Sequence, residues 1–189
     1  MQKPSKQKAV FLDRDGTINV DLGYINRPED LVLIKGAAAA IGNLKRSGFH
    51  VFVVTNQSVI GRGEATSETI EQIHARMQQL LSAEDPAATL DYIAYCPHLS
   101  EDNCQCRKPK TAMFAEISQR FSIDLGQSYM VGDKLSDLEF GWNIGLPKTR
   151  AILVHTGYGV RHLAKVCQEN DVPVHVNSIL EAQALITSN

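Results

Sequence analysis

The stretch AVFLDRDGT at residues 9–17 decides the fold of this chain. Its first four residues form an unbroken apolar run, which predicts a strand covered on both faces of a sheet. The run leads directly into Asp13 and Asp15, which are separated by one residue and followed by a glycine. The stretch therefore predicts a buried strand that places polar groups at its carboxyl end.

Similar apolar runs alternate with helical patterns along the rest of the chain. We expect further strands at residues 51–54, 90–95, 129–131, 151–154 and 172–176, the last one interrupted by Pro173. We expect helices at residues 37–47, 67–82, 111–121 and 137–144, and a last one that Ser178 caps and that ends near Ile186. This alternation predicts an α/β, doubly wound fold with a mainly parallel sheet.

The longest irregular segments are residues 18–35 and 56–66. Loops of that length are usually functional, but these are too short to form a separate cap domain. With 189 residues, the chain is expected to be a single domain over residues 1–189.

Four predicted strands lead into polar residues, at positions 13–17, 55–58, 96–98 and 132–134. In a doubly wound sheet, the ligand binds outside the carboxyl ends of the strands. The sequence therefore predicts one functional site, built from these four segments at one edge of the sheet.

The overall composition is that of a soluble globular protein, with 43% hydrophobic residues, 21% charged residues and a net charge of -2. Nothing in this charge favours nucleic acid or a membrane surface as a partner. No apolar stretch is long enough to span a membrane, and residues 1–9 lack a signal-peptide core. We therefore expect a cytoplasmic protein, and a monomer, whose cysteines are reduced. Cys167 is expected to be a buried free thiol.

The Asp13 and Asp15 pair suggests phosphate chemistry. In an extended backbone, residues two apart point to the same side, and two facing carboxylates favour a cation between them. Magnesium prefers such oxygen ligands. One carboxylate could then attack phosphorus while the other transfers protons. The alternative is a polar turn after a strand, for which Asp and Gly are common residues.

Other polar residues at the predicted strand ends suit a phosphate. Thr55 offers a hydroxyl for a phosphoryl oxygen, Lys108 a point charge and Arg107 a bidentate fork. The alternatives are a strand-end turn and a solvated basic pair. Asp133 and Asp137 add carboxylates after the fourth strand, although Asp137 could instead stabilise the first turn of a helix.

Together, these motifs resemble the haloacid dehalogenase superfamily of phosphohydrolases over residues 8–160, and Asp-x-Asp-Gly-Thr is the most specific of them. The resemblance implies roles for six residues. Asp13 is the expected nucleophile and Asp15 the general acid/base, while Thr55 and Lys108 hold the phosphoryl group. Asp13, Asp15 and Asp133 are the expected magnesium ligands, and Asp137 supports them.

Three cysteines and a histidine lie close together, at Cys96, His98, Cys104 and Cys106. Three thiolates and one imidazole suit a closed, four-coordinate zinc site that is structural rather than catalytic. We expect zinc to clip the loop of residues 96–108, so that the loop directs Arg107 and Lys108 into the site. The alternative is a set of buried free cysteines with a histidine nearby by chance.

Segments 13–19, 55–58 and 106–109 resemble one branch of the superfamily, which contains heptose bisphosphate phosphatases and histidinol-phosphate phosphatases. Segments 18–24, 60–63 and 129–134 are more similar to the heptose enzymes. The resemblance implies substrate contacts by Asp21, Leu22, Gly23, Tyr24, Thr55, Asn56, Gln57, Ser58, Arg107, Lys108 and Lys134.

The resemblance implies a magnesium-dependent hydrolase that acts through an aspartyl-phosphate. Its expected substrate is a sugar bisphosphate, D-glycero-D-manno-heptose 1,7-bisphosphate, from which it removes the 7-phosphate during the synthesis of nucleotide-activated heptose. Histidinol phosphate is the alternative substrate. A phosphate-binding module without turnover is the alternative outside enzymes, although binding alone requires no nucleophile.

Overall fold

The computed structural model describes residues 6–166 and 173–188, which contain one six-stranded sheet. The strands are β1 (Ala9–Leu12), β2 (His50–Asn56), β3 (Tyr92–Cys96), β4 (Tyr129–Gly132), β5 (Ala151–Val154) and β6 (Val174–Val176). Their order across the sheet is β3-β2-β1-β4-β5-β6, and every neighbouring pair is parallel. The predicted α/β fold is confirmed.

Helices connect the strands. They are α1 (Ala37–Arg46), α2 (Ser67–Glu84), α3 (Ala112–Ser118), α4 (Leu135–Asn143), α5 (Gly159–Val166) and α6 (Ile179–Thr187). Helix α5 was not predicted, because it is short and begins with Gly159, a poor helix former. Strand β6 is shorter than predicted. The expected first residue of that strand, Val172, and the thiol of Cys167 lie outside the described residues.

Strand β1 lies at the centre of the sheet and is fully buried. Its residues alternate between two hydrophobic cores, since successive side chains of a strand point to opposite faces. Val10 and Leu12 belong to one core, with apolar residues of α1, α2 and α6. Ala9 and Phe11 belong to the other, with apolar residues of α3 and α4. Helices therefore cover both faces, as in a doubly wound fold.

A tight turn follows β1 and carries the first acidic residues of the site. The carbonyl oxygen of Arg14 accepts hydrogen bonds from the backbone N–H groups of Thr17, Ile18 and Asn19. Gly16 has a φ of 82°, a left-handed conformation that favours glycine. The 13–36 connection contains one short 3-10 turn (Pro28–Asp30).

Within residues 6–166 and 173–188, no helix combines the length and the apolar character needed to cross a membrane.

Candidate active site

Lys108 lies at the centre of the site, at the carboxyl ends of the strands. Its Nζ is 2.8 Å from Asp13 Oδ1, 2.7 Å from Asp137 Oδ1 and 2.7 Å from the carbonyl oxygen of Val54. Burial opposes the charge of Lys108, but Asp13 and Asp137 outweigh it and raise its pKa above the ordinary value. Lys108 is therefore a buried ammonium group held next to Asp13.

Asp137 has two contacts that fit both interpretations made from the sequence. Its Oδ1 is paired with Lys108, and its Oδ2 accepts a hydrogen bond of 2.9 Å from the backbone N–H of Lys134 at the start of α4. The residue therefore caps a helix and fixes the position of Lys108 at the same time.

Three carboxylates form a cluster, in which oxygens of Asp13, Asp133 and Asp137 all lie within 4.8 Å of one another. Burial, and then the charge of Asp13, raise the pKa of Asp133 to about 8. Among the described residues, Asp133 Oδ1 is buried without a hydrogen-bond partner, and Lys134 Nζ lies 3.7 Å away. A buried oxygen without a partner, within an excess of negative charge, fits a divalent cation.

Two glycines and a backbone N–H fix the other oxygen of Asp133. Tyr158 N donates a 2.7 Å hydrogen bond to Asp133 Oδ2. A Cβ atom on either Gly16 or Gly157 would collide with the same oxygen. The turn after β1 and the loop after β5 therefore both pack directly against this carboxylate.

Gly157→Ala is expected to lower kcat by about 10²-fold, since displacing a catalytic group by 1 Å can cost that much. Gly157 has a φ of 59°, and the added methyl group would displace Asp133. The measurement is phosphate release at saturating magnesium, with thermal unfolding to confirm the fold.

Gly63→Ala is the matched control for this substitution. Gly63 also has a positive φ, 75°, but a Cβ there would meet no atom within 4 Å. The Gly63→Ala variant should lose about 1 kcal/mol of folding stability through backbone strain, without loss of activity. Equal activity of the two variants would contradict the position assigned to Asp133.

The carboxylate of Asp15 points to a different set of partners from those of the cluster. It accepts hydrogen bonds from Arg14, from Asn19 Nδ2 at 3.0 Å and from Gln57 Nε2 at 2.9 Å. Burial alone would raise the pKa of Asp15, but the charge of Arg14 and these hydrogen bonds hold it below the ordinary value. The structure thus groups Asp13 and Asp133 but gives the Asp15 side chain its own contacts.

The end of β2 supplies the remaining polar groups of the site. Gln57 Nε2 also donates to Thr55 Oγ1 at 2.8 Å, which connects the threonine hydroxyl to Asp15. Asn56 Oδ1 accepts a 3.0 Å hydrogen bond from the backbone N–H of Lys108. Residues 55–57 therefore link the first acidic motif to the segment that carries Lys108.

A small recess of about 30 Å³ is lined by Asp13, Asp15, Thr55, Asn56, Lys108, Lys134, Ser136 and Asp137. It shares five of these residues with an open cleft of about 510 Å³, so the two are adjacent. The cleft is lined by nine predicted substrate-binding residues: Asp21, Gly23, Tyr24, Asn56, Gln57, Ser58, Arg107, Lys108 and Lys134. Leu22 is not among the lining residues and is 60% exposed.

The cleft also contains residues that the sequence did not point to. Arg14, Ser136 and Tyr158 line it. Ser136 lies between Asp133 and Asp137, at the start of α4, where a hydroxyl suits an anion. No sequence pattern indicated Tyr158, because it lies in the loop after β5, which only folding brings next to Asp133.

The four predicted zinc ligands lie together in the loop after β3. Cys96 Sγ is 3.5 Å from Cys104 Sγ, and His98 Nδ1 is 3.2 Å from Cys106 Sγ. A tetrahedral zinc ion with Zn–S bonds of about 2.3 Å places its ligand atoms about 3.8 Å apart. The donor atoms of this cluster all lie within 4.8 Å of one another, which is close enough for them to converge on one ion, although Cys96 Sγ and Cys106 Sγ, at 2.8 Å, lie closer together than the ligands of such an ion.

The fold and the acidic site define a class of protein, the haloacid dehalogenase-like hydrolases. A family model described as HAD-hydrolase-like matches residues 105–182. A D,D-heptose 1,7-bisphosphate phosphatase from B. bronchiseptica, solved with magnesium and phosphate, superposes with a TM-score of 0.85 at 30% identity. The alignment covers 96% of this chain and 98% of that chain.

Curated relatives identify a particular family within this class of hydrolases. A D-glycero-beta-D-manno-heptose-1,7-bisphosphate 7-phosphatase from Haemophilus ducreyi is 43% identical over 82% of this chain and 86% of the relative. The enzyme of the same name from Helicobacter pylori strain 26695 is 38% identical over 86% of this chain and 92% of the relative. This chain belongs to the family of heptose-1,7-bisphosphate 7-phosphatases.

Proposed function

We propose that this chain removes the 7-phosphate from D-glycero-D-manno-heptose 1,7-bisphosphate, through an aspartyl-phosphate on Asp13. The observation that carries the proposal is the pairing of Asp13 with Lys108 in a recess that opens into a larger cleft. The recess suits the phosphate that is transferred. The cleft, with Arg107 and Lys134 in its lining, suits the rest of a bisphosphate.

In the first step, an Asp13 oxygen attacks phosphorus and the bond from phosphorus to the sugar oxygen breaks. Lys108 and Thr55 hold the phosphoryl oxygens, and the departing sugar oxygen takes a proton from Asp15. In the second step, water attacks the phosphorus of the aspartyl-phosphate and gives a proton to Asp15, while the bond from phosphorus to Asp13 breaks and releases inorganic phosphate. An entering phosphate opposes the effect of Arg14 on Asp15, because a nearby like charge raises a carboxyl pKa.

The residues present fit a magnesium ion at the carboxylate cluster. Asp13 and Asp133 would hold the ion, with Asp137 paired to Lys108 beside it. When bound, magnesium neutralises charge on the transferring phosphoryl group. The unpartnered Asp133 Oδ1 and the raised pKa of this residue support the assignment. The Asp15 side chain, which is occupied by other partners, is not proposed as a ligand.

We also propose one structural zinc ion, held by Cys96, His98, Cys104 and Cys106. Arg107 Nη1 donates a 3.1 Å hydrogen bond to the carbonyl oxygen of His98, so the ligand loop directly orients this arginine. The zinc would therefore fix the loop of residues 96–108 without touching the substrate.

Cys104→Ser is expected to remove the zinc and lower the melting temperature, because metal binding and the folding of such a loop are coupled. The measurement is metal content after dialysis, which should be near one zinc per wild-type chain, together with thermal unfolding. Glu101→Gln, an exposed position in the same loop, is the control and should keep its zinc. A native protein without zinc would contradict the proposal.

Arg107 is proposed to bind the phosphate that is not transferred. Histidinol phosphate carries an ammonium and an imidazole instead of a second phosphate, so Arg107 should disfavour that substrate. Tyr24 and Asp21, which also line the cleft, offer groups for sugar hydroxyls. The Arg62 guanidinium lies 4.2 Å from the ring centroid of Tyr24 and joins the two long loops at this position.

Arg107→Ala is expected to raise KM for the heptose bisphosphate by about 10-fold or more, since a charge-assisted pair contributes about 1.5–3 kcal/mol. The KM of a simple phosphomonoester should change little, since it lacks the second phosphate. Arg76→Ala, which removes an exposed guanidinium from α2, is the control. Equal changes in both KM values would contradict this role.

The experiment that tests the substrate compares phosphate release from heptose 1,7-bisphosphate and from histidinol phosphate. We expect a higher kcat/KM for the bisphosphate. A higher value for histidinol phosphate would favour the alternative enzyme, and no release from either substrate or from a generic monoester would favour a binding module.

We further propose that the chain acts in the cytoplasm, as a single-domain monomer, with no nucleic acid or membrane partner, in the synthesis of nucleotide-activated heptose.

A further inference from the structure

Arg14 lies between the two aspartates of the first motif, and its side chain is almost completely buried, at 1% exposure. Its Nε and Nη2 donate hydrogen bonds of 2.9–3.1 Å to the Asp15 carboxylate. Nη2 also donates to Gln57 Oε1 at 3.0 Å. The guanidinium is thus directed onto the carboxylate beside the recess.

His74 of α2 contacts Arg14 on another side, where its Nε2 lies 3.3 Å from Arg14 Nη1. Burial, and then the charge of Arg14, lower the pKa of His74 to about 3, so that its ring is neutral at neutral pH. Since arginine can only donate, Nε2 is the acceptor. The ring packs edge-on against Tyr95 of β3, with the centroids 5.6 Å apart, which limits its movement.

We propose that His74 and Arg14 are positioning residues for proton transfer: His74 orients Arg14, and Arg14 fixes the carboxylate of Asp15 at the recess. The inference rests on the proposed function, because it needs the acid/base role of Asp15. His74 does not line the recess or the cleft that adjoins it. Its effect on the reaction therefore passes through Arg14.

The physical basis is the geometry that proton transfer requires. An acid must come within about 2.6–3.2 Å of the oxygen that it protonates. The planar fork of arginine fixes both oxygens of a carboxylate, which a lysine in the same place cannot do. Without the acceptor on His74, a buried N–H of Arg14 has no partner, and the guanidinium is expected to shift.

The test uses two substrates that differ in their need for a proton on the leaving oxygen. An alkyl phosphate requires it and nitrophenyl phosphate does not. The value of kcat/KM covers the steps up to departure of the leaving group and excludes hydrolysis of the aspartyl-phosphate. In His74→Phe, kcat/KM for the alkyl phosphate should fall about 10-fold more than kcat/KM for nitrophenyl phosphate. This loss is smaller than the rate factor of about 10²–10⁴ that general acid/base catalysis contributes, because Asp15 itself is still present. His74→Gln, whose amide oxygen replaces Nε2 as acceptor, should restore the wild-type ratio.

Ile70→Val is the control for a packing change in α2, since Ile70 is fully buried on the same helix. It should lower the melting temperature without changing the ratio of the two kcat/KM values. Arg14→Lys provides a second measurement if His74→Phe does not fold, and should change the ratio in the same direction.

Asp15→Asn, measured in parallel, separates the two levels of the proposal. One outcome is that Asp15→Asn lowers kcat/KM more for the alkyl phosphate than for nitrophenyl phosphate while folded His74→Phe and Arg14→Lys keep the wild-type ratio of the two values. In that case the positioning role is overturned and the proposed function stands. If Asp15→Asn itself does not discriminate, the acid/base role falls, and the positioning role falls with it.

Discussion

Asp13→Asn is expected to reduce turnover by roughly 10⁴-fold or more, since the loss of a nucleophile is among the largest single effects in enzymes. An amide has nearly the shape of a carboxylate but is a far weaker nucleophile and metal ligand. Asp13 is 4% exposed and lies 2.8 Å from Lys108, so its replacement acts directly in the recess.

The fold of the Asp13→Asn variant should remain intact. Lys108 keeps Asp137 as a partner at 2.7 Å, and Asp133 loses a like-charged neighbour that raises its pKa. The melting temperature should therefore be equal to that of the wild type or higher. Asp30→Asn, at a surface ion pair with Arg27, is the control and should keep full activity. A folded Asp13→Asn protein with several per cent of wild-type activity would exclude the covalent mechanism.

Asp15→Asn is expected to lower kcat/KM for an alkyl phosphate by about 10²–10⁴, the usual contribution of general acid/base catalysis. Nitrophenyl phosphate should be much less affected, because its leaving group departs without a proton. The second step should still be slow, since the attacking water has lost its base. Rapid mixing of this variant with nitrophenyl phosphate should therefore show a burst of nitrophenol.

The control for Asp15→Asn is Asn19→Ala, which removes one hydrogen bond to the carboxylate but keeps the carboxylate itself. Its loss should be much smaller than that of Asp15→Asn. Equal losses of Asp15→Asn on the alkyl and nitrophenyl esters, without a burst, would contradict the proton-transfer role.

Much of the fold could be predicted from the sequence, because the relevant signals are local. The buried run of residues 9–12 and the polar residues after it determine a central strand and the edge at which ligands bind. Parallel pairing then brings Thr55 and Asp133 near Asp13, and Lys108 reaches Asp13 from the loop after β3. Four thiol and imidazole groups close in sequence were likewise sufficient to predict their cluster.

Other features depend on packing between distant segments and have no local signal. The contact of Gly157 with Asp133 joins the loop after β5 to the end of β4. The contact of His74 with Arg14 joins α2 to the turn after β1. The spacing of Asp13 and Asp15 suggested carboxylates on one side, but Gly16 begins a turn there, and Arg14, Asn19 and Gln57 direct the Asp15 side chain to separate partners.

The central claim is the removal of one particular phosphate, and phosphorus NMR of the reaction tests it most directly. The recess should accept the 7-phosphate of the heptose bisphosphate, while Arg107 in the cleft holds the 1-phosphate. We predict that the 7-phosphate resonance disappears as inorganic phosphate appears, and that the 1-phosphate resonance persists with equal intensity. Loss of the 1-phosphate first, or no change with active protein and magnesium present, would contradict the account.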